Sequence, residues 1–368
     1  MISKEENKLS TSQQRLLLFV GSYAEAANPG IYVYELDRAK EQLIRLDEVS
    51  GLKNPTFLNV DGEKHKLYAI EEKNIGDAGK MGQVVTFDID PESGRLTELN
   101  RADSIKPSTS HIQRDHSSKY LVVSGYHGGN VGLLKLGNNG NPVQLVDEQQ
   151  HTGHGPHPER QDRPHPHSAQ FSPDNRFVLV ADLGLDRIKI YALDEANDQL
   201  VLQGEGITPP GAGPRHLAFH PNSPYLYSMN EVDSTVTFFI FDEKTGGLTP
   251  VQTLPTLPDD FEGENTTAEI AISKDGRYLY GSNRGHDSIV QYAIDPENGK
   301  LTFVERVSTE GGHPRHFALT PDGDYLITAN RDSNNLVLFR VDPQTGKLQF
   351  TGNTASASKP VCIQPVWF

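Results

Sequence analysis

At 368 residues, with 35% hydrophobic side chains, 33 glycines and 24 prolines, the chain has a turn-rich composition that favours many short strands over long helices. Its formal charge of −15 argues against a general binder of nucleic-acid backbones, although a local arginine cluster can still hold a small anion inside a cleft. One cysteine, Cys362, excludes an intramolecular disulfide, and no apolar run approaches the roughly 18 residues that cross a membrane.

Residues 1–15 are polar and contain no apolar h-region, so a tail without a secretion signal, and hence a cytoplasmic protein, is expected. From Leu16 the run LLLFVGSY…IYVYELD…EQLIRLDE reads as three strands. Units of the form strand, turn, strand then open at Pro55, Pro107, Pro166, Pro214, Thr267, Pro314 and Pro360, at intervals of about fifty residues. The unit at Thr267 shows all four strands: AEIAIS, RYLYGSN, SIVQYAID and LTFVER. A D-P-x-x-G-x-L turn recurs at Asp90, Asp295 and Asp342, with a relative at Asp242. Proline suits its second position, and glycine supplies the positive φ that closes it. Asn265-Thr266-Thr267 matches a glycosylation triplet but, without a secretion signal, reads as an ordinary loop.

The last unit is one strand, PVCIQPVWF, and the N-terminal segment lacks a first strand, so the two ends complete one another. The expected fold is all-β: a seven-bladed β-propeller of four-stranded blades spanning 16–368, closed by the C-terminal strand pairing with the N-terminal ones.

Equivalent positions in successive blades form rings around the axis. At the start of the first strands the column reads Thr56, Ser108, His167, Arg215, Ala268, Arg315, Val361; just after the second strands it reads Tyr23, Glu72, Tyr126, Leu183, Glu231, Arg284, Arg331. Ionisable groups crowd one side of the ring, as a one-sided small-molecule site requires. His167, Arg215, Glu231 and Arg284 are the candidate catalytic set, the arginines being suited to a carboxylate or phosphate. Arg160, His165, Glu269, Arg315, His316 and Arg331 are candidate substrate-binding residues, although His216, His220 and His316 also fit hydrogen-bonding histidines within blades.

Residues 151–171 hold five of the 14 histidines. His165 and His167 have a metal-ligand spacing, but only Glu159 and Asp162 accompany them, and no metal is expected. The alternative is that 151–166 is a lid loop over the mouth, with Arg160 and His165 pointing inward. There is no nucleophile elbow, P-loop or dinucleotide fingerprint, so attack by an activated water is the simplest chemistry.

The runs GPHPERQDRPHPHSAQFSPDNRFVLVADLGLDRIKIY, GPRHLAFHPNSPYLYSMNEVDSTV, AEIAISKDGRYLYGSNRGHDSIVQYAID and GHPRHFALTPDGDYLITANRDSNNLVLF resemble the bacterial seven-bladed propeller lactonase family. That family includes 6-phosphogluconolactonases of the pentose phosphate pathway and fungal carboxy-muconate cyclases. The resemblance covers 16–368. It implies that a histidine, two arginines and a glutamate act on a lactone, at His167, Arg215, Arg284 and Glu231. It also implies a lactone hydrolase without metal or cofactor, acting on a small anionic sugar lactone. His167 would take the proton of the attacking water. One arginine would stabilise the oxyanion and the other would bind phosphate, while Glu231 would orient an arginine or the water, or protonate the leaving alkoxide. Two rivals share the fold: a lactonising cycloisomerase acting on a dicarboxylic acid, and a non-catalytic interaction platform. Against the platform stand the one-sided polar ring and the missing Trp-Asp signature, Trp367 being the sole tryptophan. No nucleic-acid or membrane partner is expected, and the oligomeric state is expected to be a monomer or weak dimer.

Overall fold

The computed structural model describes residues 14–368, so the polar tail expected over 1–15 lies, apart from its last two residues, outside the described residues. Seven four-stranded antiparallel sheets form the molecule. The only helical turn among the described residues is the 3₁₀ segment Gly76–Ala78. Counting blades from the first complete unit, the first strands are Leu58–Asp61, His111–Arg114, Pro166–Phe171, Pro214–Phe219, Thr266–Ile272, Pro314–Leu319 and Pro360–Trp367. These strands touch their neighbours all the way round the ring and line its axis. Strands two and three of each blade carry the buried apolar faces that pack blade on blade. Fourth strands such as Leu248–Pro255 mix partly buried and exposed side chains, as outer edges do.

Closure follows the expectation. Pro360–Trp367 pairs antiparallel with Leu16–Ser22, from Leu16 opposite Trp367 to Gly21 opposite Cys362, and Ile31–Asp37 and Gln42–Val49 complete that seventh blade. The backbones of Arg15 and Phe368 exchange two hydrogen bonds of 2.9 Å at the end of the ladder. The pairing closes the ring between the two ends of the described chain.

The recurring turn is also where neighbouring blades are joined. In each turn the glycine N–H donates to the aspartate carbonyl four residues back, at 2.8 Å for both Gly299→Asp295 and Gly346→Asp342. In two of these turns a buried tyrosine of the preceding blade donates its hydroxyl to the glycine carbonyl: Tyr227 to Gly299 at 2.7 Å, Tyr280 to Gly346 at 2.6 Å. Gly346 is doubly constrained, because its φ is +66° and a Cβ there would sit 2.4 Å from Tyr278 Cδ2. Gly323 shares the positive φ, at +86°, but a Cβ there would meet nothing within 4 Å. Gly346→Ala is therefore expected to lower stability by about 2–4 kcal/mol, from backbone strain plus overpacking, and Gly323→Ala by only about 1 kcal/mol. Urea unfolding of both variants checks this, and equal losses would remove the packing contribution.

Candidate functional site

A local irregularity of the first strands builds the site. In blades 3, 4 and 6 the ladder skips one residue, between Pro166 and Ser168, Pro214 and His216, and Pro314 and His316. The skipped residues are His167, Arg215 and Arg315. In blade 5 the skip covers Ala268 and Glu269, and in blade 7 Val361 is skipped. A bulge turns a side chain out of the alternating pattern. In blades 4 and 6 two consecutive residues, Arg215 with His216 and Arg315 with His316, thus reach the axis. Blade 2 corrects the sequence register: His111 pairs with Ser124 as Ser168 pairs with Ala181, so Ser110, not Ser108, is the equivalent of His167. The mismatch arises because two extra residues follow Pro107.

At the mouth lies a cleft of about 450 Å³. Arg160, His167, Glu231, Arg284, Arg315 and Arg331 line one side. Thr56, Ser108, Thr109 and Ser110 form a hydroxyl bank opposite. Glu231, only 5% exposed, is its electrostatic centre. Arg284 Nη2 stands 2.7 Å and Arg215 Nε 2.9 Å from Glu231 Oε2, and Arg160 donates to Oε1. Burial alone would push this carboxyl up, but Arg284, Arg215, Arg160 and Arg315 outweigh it and hold it well below the usual carboxylate range. Glu231 is therefore held ionised near pH 7, the state in which it orients the arginines around it.

The arginines have distinct stations. Arg284 faces the cleft while donating to the Thr267 carbonyl. Arg215, 2% exposed, lies under Glu231 and donates from Nη1 to the Ala268 carbonyl at 2.6 Å. It borders not the cleft but a chamber of about 20 Å³ beneath it. Its burial, with Arg284 and Arg315 nearby, lowers its pKa to about 9, so it stays cationic at neutral pH. Arg315 lines both spaces, its guanidinium carbon 5.7 Å from the Tyr23 ring centre, and makes no ion pair with a described carboxylate. Arg331 is at the rim, paired with Asp332 at 2.6 Å.

His167 also faces both spaces, and Tyr126 packs edge-on against it at 5.6 Å. Burial first, then the charge of Arg215 and its neighbours, lowers its pKa well below the ordinary 6.5, so it is neutral at pH 7. No carboxylate among the described residues touches it. His165 is not in the cleft. Its ring stacks on Tyr126 at 4.4 Å, with Nδ1 against the Tyr126 carbonyl and Nε2 3.0 Å from Asp162. Glu269 and His316 are likewise absent from the cleft lining, because each follows a bulged position and points one layer deeper. There Glu269 meets His216 Nδ1 at 2.9 Å and His316 Nε2 at 3.1 Å.

The loop 151–166 contributes Arg160 to the cleft, while Gln161 anchors it below by donating to the Leu183 carbonyl and to Asp186. Among the described residues no cluster of histidine, cysteine or carboxylate side chains is placed to hold a metal ion. Sequence reasoning missed His127 and His313 in the cleft lining and His111 in the deeper layer. Aligning blade 2 on its Asp115 turn would have found His111.

The chain matches the family model "Lactonase, 7-bladed beta-propeller" over residues 17–365. It is 38% identical over 299 residues to the 6-phosphogluconolactonase of Bacillus subtilis (strain 168), covering 81% of this chain and 83% of that one. It is 34% identical over 308 residues to a 6-phosphogluconolactonase of Formosa agariphila, covering 82% and 85%. The structure of the Pseudomonas aeruginosa periplasmic gluconolactonase is similar at TM-score 0.88 and 32% identity, over 96% of this chain and 99% of that one.

Glu231→Gln leaves buried guanidinium groups without their counter-charge and is expected to cost about 3 kcal/mol near neutral pH. Because the folded carboxyl titrates below the unfolded one, its contribution is complete above the unfolded value and is lost as pH falls through the folded value. The gap in melting temperature between wild type and variant should be constant above about pH 5 and narrow below it. Thermal melts across pH check this, and a gap that widens on acidification would contradict the arrangement.

Proposed function

The chain belongs to the seven-bladed β-propeller lactonase family and is a lactone hydrolase, and from that premise we propose that its substrate is 6-phosphoglucono-1,5-lactone, hydrolysed to 6-phosphogluconate in the pentose phosphate pathway. The observation carrying this reading is the sign of the cleft. In a chain of net charge −15, four arginines converge on a cavity whose floor carries a single buried carboxylate. Glu72, on the far rim, is paired with Lys80 at 3.0 Å and Lys53 at 3.7 Å. Such a cleft selects a small anion against the charge of the whole molecule. The relatives named 6-phosphogluconolactonase support the same substrate.

His167, neutral and at the cleft floor, accepts the proton of the water that adds to the lactone carbonyl. Arg284 donates to the oxyanion of the tetrahedral intermediate. Collapse breaks the bond to the ring oxygen, which recovers the proton from His167; the product carboxylic acid then ionises. Arg215 and Glu231 do not reach the reacting atoms on this account. Arg215 holds Glu231 in place, and Glu231 holds Arg284 and balances its charge. Arg315, without a carboxylate partner, and Arg331 at the rim take the phosphate, and the Thr56–Ser110 bank faces the sugar hydroxyls.

With freshly prepared 6-phosphogluconolactone and spontaneous hydrolysis subtracted, Arg284→Ala is expected to lower kcat/KM by about 10²-fold or more, and His167→Ala to abolish turnover. Arg315→Ala should raise KM for the phosphorylated lactone about 10-fold and for unphosphorylated gluconolactone less than about 3-fold. Equal turnover of the two lactones, equally affected by Arg315→Ala, would overturn the phosphate assignment. Because the neutral form of His167 persists to low pH in the free protein, kcat/KM should stay flat from about pH 7 to about pH 5.5, where an ordinary histidine base would lose most of its activity.

A further inference from the structure

Below the arginine layer the axis carries a second layer that the hydrolysis described above does not use. It consists of His111, His216, Glu269 and His316 packed around Phe57, whose ring lies 4.3 Å from His111, 5.8 Å from His216 and 5.7 Å from His316. All four titratable groups are more than nine-tenths buried. Glu269 is held from three sides: by His216 Nδ1 at 2.9 and 3.0 Å from its two oxygens, by His316 Nε2 at 3.1 Å, and by the Ile270 N–H at 3.0 Å. His216 therefore presents Nδ1–H to a carboxylate and keeps Nε2 as an acceptor. That Nε2 is buried and has no hydrogen-bond partner among the described residues. The same holds for Nδ1 of His167. The two rings stand 5.1 Å apart and both line the 20 Å³ chamber beneath the cleft, together with Ser110, Thr56, Arg215 and Arg315. A chamber of that size accommodates one water molecule, and two orphaned ring nitrogens beside hydroxyl groups supply the polar partners a buried water needs.

We propose that Glu269 and His216 are positioning residues for His167, acting through one water in this chamber, and that they form a proton relay behind the cleft. His167 Nδ1–H donates to that water, the water donates to His216 Nε2, and His216 Nδ1–H donates to Glu269. The arrangement leaves Nε2 of His167 bare toward the cleft, the tautomer that a base requires. When water adds to the lactone, its proton passes to His167 Nε2. The Nδ1 proton of His167 moves to the chamber water, and a proton of that water moves to His216 Nε2, so the positive charge comes to rest beside Glu269. On collapse the same protons return, and the ring oxygen receives the one held at Nε2. The relay places the charge next to a carboxylate, whereas His167 itself is flanked by Arg215, Arg315 and Arg284. His216 also feels Arg215, Arg315 and Arg284 and the opposing Glu231, but it alone of the two touches a carboxylate.

This inference rests on His167 being the base, and its test separates the two. Nitrogen-15 NMR of the labelled wild-type protein, with His216→Gln and His167→Ala for assignment, reads the tautomers without any substrate. Protonated Nδ1 and bare Nε2 at both rings are expected; a protonated Nε2 at His216 would overturn the relay whatever the enzyme hydrolyses. In turnover, Glu269→Gln should lower kcat about 10-fold or more with KM within about 2-fold, and a proton inventory in mixed light and heavy water should change from bowed to linear. A kcat and curvature equal to wild type would also overturn it. If Glu269→Gln does not fold, the wild-type tautomers decide. Loss of activity in His167→Ala with the predicted His216 tautomer absent would leave the base and remove only the relay.

Discussion

The structure depends on one carboxylate. Glu231 sits among Arg160, Arg215 and Arg284, with Arg315 close by, and two unit charges about 4 Å apart repel by about 4 kcal/mol even at a moderately screened dielectric. Without a counter-charge at that point these guanidinium groups could not share a buried floor. Glu231 also crosses the architecture: Arg215 belongs to its own blade, Arg284 to the next, and Arg160 to the loop before blade 3. Its backbone N–H is pinned to the Gly213 carbonyl at 2.7 Å, so the carboxylate is a fixed point to which three chain segments are tied. The same ion pairs that order the cleft help seat one blade against another.

The repeated Pro-Arg-His of blades 4 and 6 has a geometric explanation. A regular strand would send one of two consecutive residues to each face of its sheet. The bulge after the proline breaks that alternation, so Arg215 and His216 both approach the axis, at different depths. Arg315 and His316 do the same. Blade 5 uses the identical device with Ala268 and Glu269, placing a small residue where a fourth arginine would crowd the floor and a carboxylate where the deeper histidines need one. One repeated irregularity thus produces two stacked layers of opposite character.

Most of the fold was legible because its signals are periodic. Strand alternation, the Asp-Pro-x-x-Gly turn and the missing strand at each end all follow from local chemistry that repeats about every fifty residues, and ring closure follows from them. The ring of Glu231, Arg284 and Arg331 was legible for the same reason. What was not legible depends on register within a blade. Ser108 was read for Ser110 because two inserted residues shift the unit after Pro107, and this hid His111. Glu269 and His316 were read into the cleft because a bulge cannot be seen in a one-dimensional pattern, so the depth of each side chain was undetermined. The loop over 151–166 has no repeat to align it. That Arg160 turns inward and His165 turns beneath Tyr126 follows from contacts such as the close approach of Gly184 to the Arg163 carbonyl, where a Cβ would lie 1.9 Å away.

The two layers answer to conflicting demands. A floor of arginines favours every negative charge that enters, including a phosphate and a developing oxyanion, and by the same field disfavours any positive charge that the reaction creates. His167 in that layer is held neutral, as the proposed base must be before the reaction, but protonating it there is costly. A bound anion offsets part of this cost, which makes proton acceptance dependent on an occupied cleft. On the proposed relay the remaining relief comes from below, where Glu269 pairs with His216 and His316 and with no arginine side chain among the described residues. Had that carboxylate stood in the upper layer, it would have paired with a guanidinium as Glu231 does and lost its value to the base. Separation by one residue along a bulged strand is therefore what the proposed mechanism requires of a single channel that binds an anion at its mouth and accommodates a proton beneath it.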